Sequence, residues 1–209
     1  MIQSLYTASS GMKAQQQNID NIANNIANIE TTGYKKTRVD FKDAMYSAMQ
    51  NPADAASQNN LQIGNGVLID ATLKLFDDGP LIETGRTLDF AIAGEGFFAV
   101  QDSQGRILYT RDGVFNTSNI EGRNYLVNSS GYLVLDKNNN PIVIEGDVNN
   151  LIVDAKGVMT IDGEHVADLG IFTFDNPSGL EAVGSTSYIP SDNSGEARAA
   201  GGAVKQKYY

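Results

Sequence analysis

The sequence predicts a mainly β protein, an antiparallel hairpin-rich sandwich or distorted barrel, preceded by a long N-terminal amphipathic α-helix. Apolar residues recur at heptad spacing from Leu5 to Ile29, the signature of a helix seam. From Leu61 onward the pattern changes to short runs rich in β-branched and aromatic residues, several alternating with period two. Turn dipeptides ending in glycine separate those runs, which favours tight hairpins over helical crossovers.

The first segment, residues 1–33, reads as one coiled-coil-type helix for assembly. Leu5, Met12, Ile19 and Ile26 are spaced seven apart, and Ala8, Gln15, Ile22 and Ile29 form a second series that interleaves with them. From Asn18 to Ile29 the isoleucines fill one arc of a helical projection, while Asn18, Asn21, Asn24, Asn25 and Asn28 occupy the other side. Asparagine is a mediocre helix former, so a strip of it implies a second packed face whose amides find hydrogen-bond partners. Thr32-Gly33 supplies the expected stop.

Residues 34–60 read as a short helix plus linker. Phe41, Met45 and Met49 stand at i, i+4, i+8 before Pro52, and "ADAASQNN" is small, polar and patternless. Residues 61–209 read as the β-rich domain. Val67, Ile69, Ala71, Leu73 and Leu75 alternate strictly, and "TLDFAIA", "GFFAVQ", "RILYT", "YLVN", "GYLVL", "PIVI", "LIVD", "VMTI" and "LGIFTF" are further strand candidates. Asp78-Gly79, Gln104-Gly105, Asp112-Gly113, Ser130-Gly131, Lys156-Gly157 and Asp162-Gly163 mark turns. The final stretch, "SDNSGEARAAGGAVKQKYY", reads as loop.

No comparable heptad run follows residue 33, so the helix seam lacks a partner within the sequence. That inventory places the partner in another molecule or beyond Tyr209, and it points to assembly. The formal net charge of -10 argues against a nucleic-acid partner, since little would neutralise phosphates. The chain has no cysteine, which removes disulfides and thiolate metal sites. No apolar run approaches the length of a membrane span, so membrane insertion is not expected, and the N-terminus carries no secretory signal pattern.

Candidate chemistry is sparse. His165 is the single histidine and reads as a surface strand residue beside the Asp162-Gly163 turn. "GEGFFA" matches a dinucleotide fingerprint in letters only, because strand follows where a helix must open. "DKNNNP" places Asp136, Asn138 and Asn140 at calcium-loop spacing, but Pro141 occupies the glycine position and Asp147 the glutamate one, so it reads as a polar turn. Asp77-Asp78, and Asp154 with Asp162, are the carboxylate pairs a glycan hydrolase would need, with nothing to set them opposite one another. Ser9-Ser10 and Ser129-Ser130 lack a histidine at a suggestive position. Phe97, Phe98, Tyr109 and Phe115 read as core. The expectation is a non-enzyme with no catalytic, metal or cofactor-binding residues.

The stretch "SLYTASSGMKAQQQNIDNIANNIANIETTGYKK" resembles the N-terminal signature of the bacterial flagellar basal-body rod and hook (axial) proteins, and "LQIGNGV", "DFAIAGEGFFAVQ" and "YTRDGVFN" resemble successive blocks of that family. "LGIFTFDNPSGLEAVGSTSYIPSDNSG" is again similar to the rod type, and the linker before "LQIGNGV" makes the chain most like distal-rod members. The resemblance implies a structural rod subunit that polymerises into a tubular drive shaft, with terminal helices inside and β-domains outside. It implies export through the flagellar type III apparatus without a cleaved signal, and partners comprising further copies, other rod and hook proteins and the export apparatus. Family members continue into a C-terminal helix that pairs with the N-terminal one, and here the sequence stops at "KQKYY". The expected assembly residues are Leu5, Met12, Ile19, Ile22, Ile26 and Ile29 on the apolar face, with Asn18, Asn21, Asn25 and Asn28 on the amide face meeting neighbouring subunits or lining the channel. The alternatives are a proximal-rod or hook protein of the same family, a cell-wall glycan hydrolase, or a coiled-coil-presented adhesin.

Overall fold

The structure, a computed structural model, describes residues 2–49, 61–201 and 203–209. It divides into two compact units, one formed by residues 1–29 with 36–75 and the other by residues 30–35 with 76–209. The stretch "ADAASQNN" lies outside the described residues.

In the first unit, α1 (Ile2–Ala27) packs on an antiparallel pair of strands, β1 (Thr37–Asp43) and β4 (Val67–Lys74), while β2 (Ser47–Met49) pairs with β3 (Leu61–Ile63). The short helix expected at Phe41, Met45 and Met49 is not formed: Phe41 lies in β1 and Met49 in β2. Thr37, Val39 and Phe41 also alternate with period two, and pairing along β4, with Phe41 opposite Ile69, outweighs a weak helical spacing. A bulge between Asp40 and Phe41 shifts that register by one residue. Helix α1 stops at Ala27, ahead of the expected Thr32-Gly33 stop. There the Asn28 side-chain amide donates to the Asn24 carbonyl at 2.9 Å, satisfying an end-of-helix acceptor.

The second unit is built on antiparallel sheets, and none of them closes into a barrel among the described residues. Its strands are β5 (Phe90–Ala93), β6 (Phe97–Gln101), β7 (Ile107–Thr110), β8 (Phe115–Ile120), β9 (Arg123–Asn128), β10 (Leu133–Val134), β11 (Leu151–Val153), β12 (Val158–Ile161), β13 (Glu164–Asp168), β14 (Ile171–Thr173), β15 (Glu181–Val183), β16 (Ser187–Ile189), β17 (Arg198–Ala199) and β18 (Ala203–Gln206). The main sheet runs β15-β16-β7-β6-β10-β9-β8, with β14 joining β6 to β17. Strands β11-β12-β13 form a separate meander. The turn between β12 and β13 uses Asp162 and Gly163, both at positive φ, as a two-residue hairpin requires.

Strand β6 explains why "GFFAVQ" reads as a continuous apolar run. Phe98 and Val100 enter one buried cluster with Phe90, Leu108 and Phe115, whereas Phe97 and Ala99 enter a second with Tyr109, Phe172, Phe174 and Tyr188. The strand is therefore buried on both faces. Edge-to-face contacts order the second cluster, the closest being Tyr109 to Phe174 at 4.9 Å between centroids. The C-terminal stretch is not loop throughout. Strand β18 pairs with β5, Val204 is buried, and the Gln206 amide donates to the Thr87 and Leu151 carbonyls at 2.9 and 2.8 Å.

Residues 30–35 cross the second unit as a strap. The Thr32 hydroxyl donates to the Asp112 carboxylate at 2.9 Å, and Ser129 donates to its other oxygen at 2.8 Å. Gly33 sits at φ +69, where an added Cβ would stand 2.5 Å from the Asp112 backbone nitrogen. Lys35 is buried and donates from Nζ to the Asp77 carbonyl at 2.7 Å. Burial lowers the Lys35 pKa from its ordinary value, and the nearby Arg111 guanidinium lowers it further. Substituting Gly33→Ala imposes both the strained φ and the clash, so urea unfolding of the second unit is expected to show a loss of about 2–3 kcal/mol.

Candidate assembly surface

Helix α1 contacts its own hairpin through small and polar residues and not through its oily ones. Thr7, Ser9, Ser10, Gly11, Ala14, Asn18, Asn21, Asn25 and Asn28 are the buried or half-buried positions, and Ala14 is the most enclosed. Apart from Ser9 and Ser10 these positions step by four and three, so they form one strip along the helix. Near its C-terminal end Asn25 pairs reciprocally with the backbone of Thr37. Its amide nitrogen donates to the Thr37 carbonyl at 2.9 Å, and the Thr37 N–H donates back to Oδ1 at 3.0 Å. The Thr37 hydroxyl donates to Asn21 Oδ1 at 2.9 Å, and Asn25 donates to the same oxygen at 3.0 Å. A carboxamide carries a donor and an acceptor side by side, as a peptide group does. It completes the edge of β1 that β4 leaves open.

The apolar seam faces away from that hairpin. Leu5, Met12, Ile19, Ile22 and Ile26 are all exposed, from 49% for Ile22 to 70% for Leu5, and Ile29, just past the helix end, is 79% exposed. A row of this kind is not found on a monomer without reason, because each side chain forfeits burial that a partner would supply. The structure thus separates the two sets of predicted residues. The apolar set stays open, while Asn21 and Asn25 are engaged inside the chain, with Asn28 bonded within the helix end.

The other sequence candidates take structural roles. His165 lies exposed on β13 with its ring nitrogen 3.0 Å from Asp168. Asp136 accepts the Asn138 and Asn140 backbone N–H groups at 2.7 Å each, which makes "DKNNNP" a turn held by its own first residue. Strand β6 begins directly after "GEG", as the sequence implies. Asp78 accepts from Arg111 at 2.8 Å, Asp162 accepts from Asn150 at 2.9 Å, and Phe97, Phe98, Tyr109 and Phe115 are core. No group of three or more His, Asp or Glu among the described residues is placed to hold a metal ion, and no helix is long and apolar enough to cross a membrane.

Residues 5–35 match the family described as flagella basal body rod protein, and residues 91–161 match the flagellar hook protein FlgE/F/G D1 domain. The flagellar basal-body rod protein FlgG of Borreliella burgdorferi is 36% identical over 208 residues, covering 94% of this chain and 76% of the relative. That of Bacillus subtilis is 39% identical over 213 residues, covering 96% and 78%. The chain belongs to the flagellar basal-body rod protein FlgG family. A flagellar hook-basal body complex protein of B. subtilis, FlhP, is also similar, at 30% identity over 220 residues, covering 99% of this chain and 81% of the relative.

Two blocks that carry the likeness to the FlgG family, "TTGYKK" and "YTRDG", meet in the strap at Thr32, Gly33, Arg111 and Asp112. Sequence spacing gives no hint of this, because Thr32 and Asp112 are 80 residues apart. Thr37 is the partner that periodicity could not find for the amide face. In this FlgG-family chain the ordinary ranking of side chains is inverted at α1. Replacing Asn25→Ala should cost the free chain about 1–2 kcal/mol through the orphaned Thr37 groups. Replacing the exposed Ile26→Ala should change stability by no more than about 0.5 kcal/mol. Urea denaturation followed by far-UV circular dichroism checks both.

Proposed function

We propose that this chain is a structural subunit of the flagellar basal-body rod, of the distal type, that assembles through the open seam of α1 and performs no catalysis. Family membership supports the rod assignment. The observation that carries the assembly mode is that the polar strip of α1 is already committed to β1 and β4 while the apolar strip is not. Leu5, Met12, Ile19, Ile22, Ile26 and Ile29 pack against a helix from another copy, from another rod or hook protein, or from a further segment of the polypeptide. The export route is the flagellar one, and the asparagine strip keeps α1 on its hairpin. FlhP, a hook-basal body complex protein, supports the neighbouring reading of another axial position within the same structure.

A cell-wall hydrolase would need a carboxyl group with raised proton affinity to act as general acid. Two carboxyl groups move the other way. Although burial pushes the Asp102 pKa up, hydrogen bonds from the Arg106 backbone and side chain and from Gln104 N–H hold it below the ordinary value. The His165 hydrogen bond, opposed by burial and helped by Lys137, does the same for Asp168.

Introducing Ile26→Asp places a carboxylate in the seam. Cells relying on this variant should lack complete rods and be non-motile, while the purified variant keeps the native near-UV spectrum of its β-unit. A motile strain would reject the seam as the assembly face. For Asp102 and Asp168 the folded pKa lies below the unfolded one, so their contribution is present above the ordinary value of 3.8 and is lost as pH falls through the folded values. Near neutral pH these two groups should therefore give the urea midpoint no pH dependence, the midpoint should decline in strongly acid solution, and Asp168→Asn should reduce that decline.

A further inference from the structure

Two exposed features of the chain are complementary in shape and in charge. The first is a largely apolar recess of about 260 Å³ in the first unit, between α1 and β4, lined by Tyr6, Ser9, Lys13, Val67, Leu68 and Ile69. Tyr6, Leu68 and Ile69 are exposed although large and hydrophobic. An apolar cavity of roughly 150 Å³ holds a benzene ring, so this recess has room for a branched aliphatic side chain. Lys13 makes no ion pair or hydrogen bond among the described residues. The second feature is the turn that joins β8 to β9 in the second unit. Ile120 and Arg123 pair across it, and Glu121 and Gly122 between them are both at positive φ. From Asn116 to Asn124 every residue except Ser118 is exposed, so the hairpin projects from the sheet. A two-stranded hairpin is marginal in water, and this one ends in an isoleucine that is 43% exposed. Glu121 holds a conformation that Gly, Asn or Asp adopts at less cost, and its carboxylate has no partner among the described residues.

We propose that the β8–β9 turn of one copy docks in the α1–β4 recess of a second copy, with Ile120 in the recess and Glu121 paired with Lys13. The proposal rests on the rod reading, because it needs copies held beside one another. Charge complementarity favours this occupant. Lys13 and Asp20 are the only charged residues in Ile2–Ala27, and Glu121 and Arg123 are the only ones from Phe115 to Asn128. The turn thus offers one anion and one cation to a helix that offers one cation and one anion. With Glu121 on Lys13, Arg123 extends towards Asp20, about 10.5 Å further along the axis. The reverse docking sense sets Arg123 against Lys13 and Glu121 against Asp20, so the charges select a direction. The two surfaces are different, which makes the contact heterologous: each copy gives its turn to one neighbour and receives a turn from another. Neither the seam nor the asparagine strip is used. Burial of Ile120 supplies the affinity, and the charges supply the orientation.

The test uses the full chain, expressed in cells lacking their own copy, with rods isolated and counted. Ile120→Asp should lower the yield of complete rods about fivefold or more, while the purified variant keeps its near-UV spectrum. Lys13→Glu and Glu121→Lys alone should each lower the yield about threefold or more, and the two together should restore it. Ile120→Asp rods at the unaltered yield, or a double exchange no better than either single, overturn the proposal. Crosslinking reads the contact directly. The chain contains no cysteine, so rods grown from a mixture of Lys13→Cys and Glu121→Cys chains can be treated with a short bismaleimide. Ile120 is intact in both, and a covalent dimer is expected from the mixture and from neither population alone. A mixture that assembles without crosslinking overturns the proposal and leaves the seam reading intact. So does a chain bearing both cysteines that links only to itself, which puts the turn in its own recess. If the unaltered chain does not enter rods at all, the rod reading itself fails, and this contact with it.

Discussion

The first unit depends on a single carboxamide that behaves like backbone. Asn25 presents a donor and an acceptor to Thr37 with the geometry a neighbouring strand would offer, and so ties a helix to the open edge of a two-stranded sheet. A two-stranded sheet is marginal alone in water. A helix laid across it by its apolar face would have been the ordinary solution, and would have covered the exposed isoleucine row. Packing through Ala14 and a row of asparagines, with Thr7 and Ser10 close against Gly66, stabilises the unit by close approach and hydrogen bonds, and leaves the isoleucines exposed.

The same economy appears in the strap. Residues 30–35 belong to the second unit although the helix before them and the strand after them belong to the first. Their anchors are specific: one carboxylate, Asp112, accepts from Thr32, from Ser129 and from the Val114 N–H. Gly33 is there because no other residue fits between φ +69 and the Asp112 backbone. Lys35, buried and donating to the Asp77 carbonyl, adds a further tie between the strap and the rest of the second unit.

Much of this was legible in the sequence, and the failures have physical causes. The helix, its exposed seam and most β-unit strands follow from periodicity, because burial on one face or on both writes itself into residue spacing. Phe41 and Met49 read as helical in the sequence because so short a window holds both periods, and only pairing with β4 and β3 decides between them. Strand β18 was read as loop because its burial rests on one residue, Val204, in a Gly/Ala-rich setting. A strand is expected after the Asp112-Gly113 turn of "YTRDGVFN", but its run through "NTSNI" leaves no apolar pattern, because that stretch is largely exposed and is held by β9. The asparagine strip announced a second packed face but could not name Thr37. Hydrogen-bond partners between elements leave no periodic trace.

Magnitudes decide how the faces of α1 divide their tasks. Burying a side chain of the size of Ile or Leu contributes about 1.5–3 kcal/mol, so a seam of five or six is enough to offset the several kcal/mol, roughly 4–15, that association costs. An exposed ion pair contributes about 0.2–1 kcal/mol and could not drive assembly. Apolar packing, however, is tolerant of sliding by a heptad, since the seam repeats every seven residues and presents nearly the same surface after each slip. In the proposed assembly the seam supplies the affinity, and axial register has to come from contacts that do not repeat every heptad.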